Sequence, residues 1–157
     1  MKRILPAITA LLLVFLLLTA CGGSGKQPLP APDDLAKKLL DAGIFSEALE
    51  AADGDIAAYL YGLTDAQGVE LRSWMSSGAT AEELTIFTCQ DDAVLQEVRK
   101  SVDARLEMQK STFSNYVPAE VPKLENAVIR VRDRVLVVCV SADGDKAAKL
   151  LSPYFPA

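Results

Sequence analysis

No histidine occurs anywhere in the chain, which removes Ser-His-Asp and Cys-His catalysis together with most zinc chemistry. Cysteine is scarce as well, with three in all. Cys89 and Cys139 are too few and too widely spaced for a metal knuckle. Basic charge is in deficit, 16 Lys and Arg standing against 21 Asp and Glu, so neither nucleic acid nor a basic adhesive role suits the chain. Without a paired catalytic motif the sequence is read as a non-enzyme, with no cofactor and no metal.

What the chain does have begins at its N-terminus. Lys2 and Arg3 precede an almost unbroken apolar run over residues 4–18, the basic and apolar regions of an export signal. Leu18-Thr19-Ala20-Cys21 closes it and is similar to the bacterial lipobox, in which small residues before the cysteine allow cleavage once the thiol carries diacylglycerol. Residues 1–20 are therefore expected to be a lipoprotein signal peptide, and Cys21 the lipidated first residue of a mature chain. A never-cleaved signal anchor is the competing expectation, weakened by Pro6 and by the position of Cys21. In either case the body is extracytoplasmic, held at the cell membrane by acyl chains of the palmitate class or by the anchor itself. Loss of Lys2 and Arg3 with the leader leaves 14 basic against 21 acidic residues, a formal charge of −7.

Residues 21–32 are rich in Gly, Ser and Pro and read as a flexible tether. Residues 33–157 are read as a single α+β domain. Asp33 or Asp34 is expected to cap a short helix with Leu35, Leu39 and Leu40 inward, ending near Gly43. A second helix starts at Asp53 or Asp55, offers Ile56, Tyr59 and Leu60 to the core, and stops at Gly62. Residues 69–75 alternate as a strand, residues 80–83 have the spacing of a capping box and one helical turn, and residues 84–89 return as a strand. Asp91 or Asp92 caps a long helix to about Ser114, burying Leu95, Val98, Val102, Leu106 and Phe113. Residues 115–126 are expected to be an ordered, non-helical connection, then strands at 127–132 and 135–140 and a last helix from Asp143 or Asp145.

The fold expected is thus a four-stranded, mainly antiparallel sheet built from two hairpin-helix (ββα) units, with additional N-terminal helices. Strands apolar on both faces belong in the middle, which gives the order 69–75, 84–89, 135–140, 127–132. Both C-terminal helices are expected on one face and the N-terminal helices on part of the other. With the inner strands antiparallel, Cys89 and Cys139 fall at opposite ends, so no disulfide is expected; parallel inner strands would bring them together.

The chain resembles an uncharacterised family of Gram-positive lipoproteins, domain of unknown function 4358. The resemblance lies in Tyr61-Gly62, in Ser76-Ser77-Gly78-Ala79-Thr80-Ala81-Glu82-Glu83, in Arg105-Leu106-Glu107, in Tyr116-Val117-Pro118 and in Pro122-Lys123-Leu124-Glu125-Asn126. It implies a location and an α+β fold, and no activity.

Two regions are candidate binding sites. Ser76, Ser77 and Thr80, with Glu82 and Glu83, form a polar loop that either holds a ligand or satisfies its own backbone. Trp74 and Arg72 either offer a protein or glycan contact or, for Trp74, pack beneath the N-terminal helices. Asp53-Gly54-Asp55 and Asp143-Gly144-Asp145 lack the further oxygen ligands of a calcium loop and read as helix caps. The expected partners are the membrane, through the lipid on Cys21, and an envelope protein or polymer; the alternative is a small molecule bound on behalf of a transporter or sensor.

Overall fold

The computed structural model describes residues 27–156. The leader, Cys21 and the tether up to Lys26 lie outside the described residues.

Helix α1 spans Pro32–Leu40, with Pro32 in the first turn beside Asp33 and Asp34, and Lys37 and Lys38 in the last, each sign at the favourable end of the helix dipole. No side chain caps it, so neither aspartate has the expected role. After a two-residue strand β1, Glu50–Ala51, helix α2 spans Gly54–Leu60 and is capped by the Asp53 carboxylate, which accepts from the N–H groups of Asp55 and Ile56. The hairpin β2 (Val69–Met75) and β3 (Glu83–Cys89) follows. Helix α3, Asp92–Tyr116, is capped by Asp91. A 3-10 turn, Pro118–Glu120, leads into α4, Val121–Glu125. Strands β4 (Val128–Arg132) and β5 (Val135–Val140) and helix α5, Gly144–Leu151, capped by Asp143, complete the described residues.

The strands form one open antiparallel sheet in the order β1-β2-β3-β5-β4. The order of the four long strands is the one expected. The sheet has five strands rather than four because Glu50 and Ala51 pair with Met75 and Trp74, a stretch too short to show alternation. Leu84 stands opposite Cys139, and Thr88 opposite Val135.

The layering differs from expectation. On one face Phe87, Leu136, Val138 and Val140 pack with α3, Tyr61 and Leu124; on the other Leu84, Ile86, Val137 and Cys139 pack with α1 and α5. The two C-terminal helices therefore lie on opposite faces, and the two hairpin-helix segments are not copies of one unit. Both inner strands are apolar on both sides, so patterning cannot say which face each helix takes.

Three local expectations are corrected as well. Ile56 and Tyr59 of α2 are exposed, while Ala57 and Tyr61 are buried, because the Tyr61 ring packs edge-on against Phe87 at 5.0 Å. Residues 80–83 form no helical turn, since Glu82 and Glu83 turn their carboxylates into ion pairs. Residues 115–126 are largely helical, Pro118 and Pro122 each standing in the first turn of a short helix where a missing N–H costs nothing.

Candidate functional site

Consecutive residues of an extended chain point to opposite sides, so Glu82, just before β3, and Glu83, its first residue, send their carboxylates into two different networks. Glu83 receives Arg105 Nη2 at 2.6 Å and Nε at 3.1 Å, together with the Tyr61 hydroxyl. The guanidinium also lies over the Tyr61 ring, 4.9 Å from its centre. Burial opposes the Arg105 charge, but Glu83 more than compensates and holds the guanidinium pKa above its usual value. Burial first, then the Glu83 charge, drives the Tyr61 phenol well above its ordinary range.

On the other side the Glu82 side chain, 0% exposed, accepts from Ser46 N at 2.9 Å and Ser46 Oγ at 2.8 Å and pairs with Lys123 Nζ at 3.2 Å. Lys123 also meets Glu120 at 2.9 Å, and Glu120 accepts from the Ala81 N–H. Burial acts to lower the Lys123 pKa, while Glu120 and Glu82 raise it further than burial lowers it. These bonds tie residues 44–47, 80–83 and 118–125 together at one end of the sheet. The acids and bases here are committed to one another, which suits rigidity better than proton transfer.

Directly outside this network runs a groove. Its deeper half, about 440 Å³, lies between the 76–80 loop and the last turns of α3 and includes Ser76, Ser77, Thr80, Gln109, Thr112 and Tyr116. Its second half, about 390 Å³, lies between the end of α2 and the middle of α3 and includes Tyr59, Leu60, Ala104 and Met108. Leu60 and Arg105 border both halves. Tyr59 (72% exposed), Met108 (53%) and Tyr116 (75%) leave large apolar surface open along it. The overhang has a simple cause: 25 helical residues reach about 37 Å, while the seven of β3 reach about 23 Å. The C-terminal turns of α3 thus run past the sheet.

Of the residues singled out from sequence, Ser76, Ser77 and Thr80 line this groove. Ser76 Oγ donates to the Thr80 carbonyl at 2.7 Å, and Thr80 Oγ1 donates to Glu47 at 2.9 Å, so the loop also satisfies itself. Trp74 is half-buried against the α1 and α5 side, on the opposite face of the sheet from the groove. Arg72 is exposed, 3.6 Å from Asp33. Cys89 and Cys139 are buried free thiols in different cores, each near the C-terminal end of its strand and therefore at opposite ends of the antiparallel sheet, as expected. Burial pushes Cys139 up to about 12. Asp53 and Asp143 are caps, the latter accepting from Lys146 N at 2.9 Å.

Sequence reading missed Tyr61, Arg105 and Glu120 as a buried set with half-buried Lys123, and Tyr59, Met108 and Tyr116 as groove walls. Arg105 carried a usable signal: it falls three residues after Val102 on the buried stripe of α3, where a lone cation demands a buried carboxylate.

A second cleft, about 520 Å³, lies between β4 and the start of α5 and is lined by Lys123, Arg130, Asp143 and Asp145 among others. Its charges are of both signs, and Lys123 is already engaged with Glu82 and Glu120. Among the described residues no helix is long and apolar enough to cross a membrane.

A family model described as a domain of unknown function (DUF4358) matches residues 43–141. That span contains the buried network and the whole groove. No curated protein and no solved structure matches the chain.

Proposed function

The chain belongs to the family described as domain of unknown function DUF4358, and from that premise we propose that it is a lipid-anchored, extracytoplasmic interaction domain that contacts an envelope protein or polymer and catalyses no reaction. The observation that carries this reading is where the groove lies relative to the tether. Gln27 donates its N–H to the Pro153 carbonyl at 3.2 Å and accepts from Arg132 Nη1 at 2.7 Å. This is the end of the sheet where β4 turns into β5, and the groove opens at the other end. Cys21 precedes Gln27 by six residues, so a lipid there lies within roughly 20 Å of the tethered end. The strands then set the groove about 20 Å farther from the bilayer.

A photoreactive benzoylphenylalanine at Tyr59 or Tyr116 is expected to give a discrete crosslinked species in intact cells, and the same residue at exposed Lys37 none. Cys21→Ala is expected to abolish palmitate labelling. Equal crosslinking from position 37, or palmitate labelling that survives Cys21→Ala, sinks the reading.

A small-molecule binder serving a transporter or sensor is the second reading. It draws on the groove's deeper half, whose 440 Å³ falls within the size range of ligand pockets. A metabolite thermal-shift screen separates the two, because a small ligand raises the midpoint and a protein partner leaves the library silent.

A further inference from the structure

We infer, resting on the interaction-domain reading, that the groove takes an extended, uncharged peptide segment of a partner protein, apolar where it meets Met108 and hydroxyl- or amide-bearing where it meets Ser77. The charge of the lining carries the argument. In a mature body of formal charge −7, the ionisable groups bordering the groove's polar half are Glu82, Glu83 and Arg105, besides the Tyr116 phenol. Each of the three has a side chain no more than 5% exposed and is ion-paired. The accessible walls are hydroxyls, the Gln109 amide and the Tyr116 phenol, set among apolar Leu60 and Met75. A charged ligand finds no counter-ion there: a polyanion is repelled by the body, and a polycation is drawn to the acidic surface elsewhere.

Dimensions and wall chemistry select a peptide. From Ser101 to Tyr116 the groove follows α3 for about 22 Å, the length of six or seven extended residues. Met108, Leu60 and Ala104 make one half aliphatic, which suits an apolar side chain and leaves a sugar's hydroxyls without partners. Tyr59 and Tyr116, rigid and amphipathic, stand as exposed anchors at the two halves.

Methionine occurs only at positions 1, 75 and 108, with Met75 in the polar half and Met108 in the aliphatic half. The full chain in lipid nanodiscs, carrying ¹³C-methyl methionine, therefore has a reporter in each half. A pool of capped seven-residue peptides built from Leu, Phe, Ser, Thr and Asn is expected to shift both methyl signals saturably. Trp74 fluorescence, on the other face, should stay constant. The double variant Tyr59→Ala, Tyr116→Ala should weaken binding by about tenfold or more, and since both rings are exposed its unbound spectrum should keep the native methyl positions.

Equal or tighter binding of the same peptides with Lys or Glu in place of Ser overturns the inference. So does a shift produced by an N-acetylglucosamine oligomer and not by peptides, or no shift from any probe at millimolar concentration. Crosslinks from positions 59 and 116 alongside silent peptides would retire the peptide and leave the interaction domain standing.

Discussion

Arg105 is a buried cation held by a buried carboxylate. Its guanidinium serves Glu83 in three hydrogen bonds and covers the Tyr61 ring, so its loss strands a carboxylate in the core. Arg105→Met is expected to cost about 3–5 kcal/mol of unfolding free energy. The double variant Glu83→Gln, Arg105→Met should recover part of that, and urea unfolding measures both. Cys139 makes a second prediction. Its thiol pKa is raised from 9.0 to about 12 by burial, aided by Glu82 and Glu83, so the fold favours the neutral form. Its stabilising contribution is complete below pH 9 and is lost as pH rises toward 12, at about 1.4 kcal/mol per unit while only the unfolded chain ionises. Cys139→Val should flatten that part of the alkaline unfolding profile. These residues were only partly legible in the sequence. Burial of Cys139 followed from its apolar strand, whereas the pairing of Glu83 with Arg105 joins positions that only the finished packing brings together.

At the scale of elements, boundaries were readable wherever local chemistry sets them. Asp53, Asp91 and Asp143 all cap as their positions suggested, and β2 runs over the residues whose alternation announced it. What a short helix buries was not readable, because α2 is too brief for its periodicity to outweigh one aromatic contact. Gly62, at φ +68 with open space around its α-carbon, ends α2 through conformation alone. Gly62→Ala should therefore destabilise by about 1 kcal/mol without disturbing neighbours, as thermal unfolding can check.

The sheet edges carry a protective device of their own. Ser73 gives its carbonyl to Ala52 on the β1 side, so the Leu71 carbonyl, two residues back, faces the same open side. Arg72 Nη1 bends back onto it at 3.2 Å. On β4, Arg130 Nη1 does the same to Ile129 at 2.9 Å. Edge carbonyls engaged in this way are poor templates for a foreign strand, which turns attention from the edges to the groove. The double variant Arg72→Ser, Arg130→Ser is expected to self-associate, detectable by sedimentation velocity; an unchanged monomer would refute the protective role.

At the scale of the whole molecule, composition was a poor guide to layering. The acids and bases that border the groove, Glu82, Glu83 and Arg105, are all held in ion pairs. Which helix covers which face could not be read, since inner strands apolar on both sides accept a helix on either.

The placement of Gln27 at one end of the strands and the groove at the other also has a mechanical meaning. Under the lipid-anchored reading proposed above, a partner held in the groove that moves away from the bilayer would pull along the strand axes. Ladder hydrogen bonds lie across that direction, so the load would be borne by many of them in shear, while the first contacts to yield would be those of Gln27 with Pro153 and Arg132. Resistance to such a pull is set by the unfolding rate rather than by equilibrium stability. The sheet would then act as a tension member between membrane and partner.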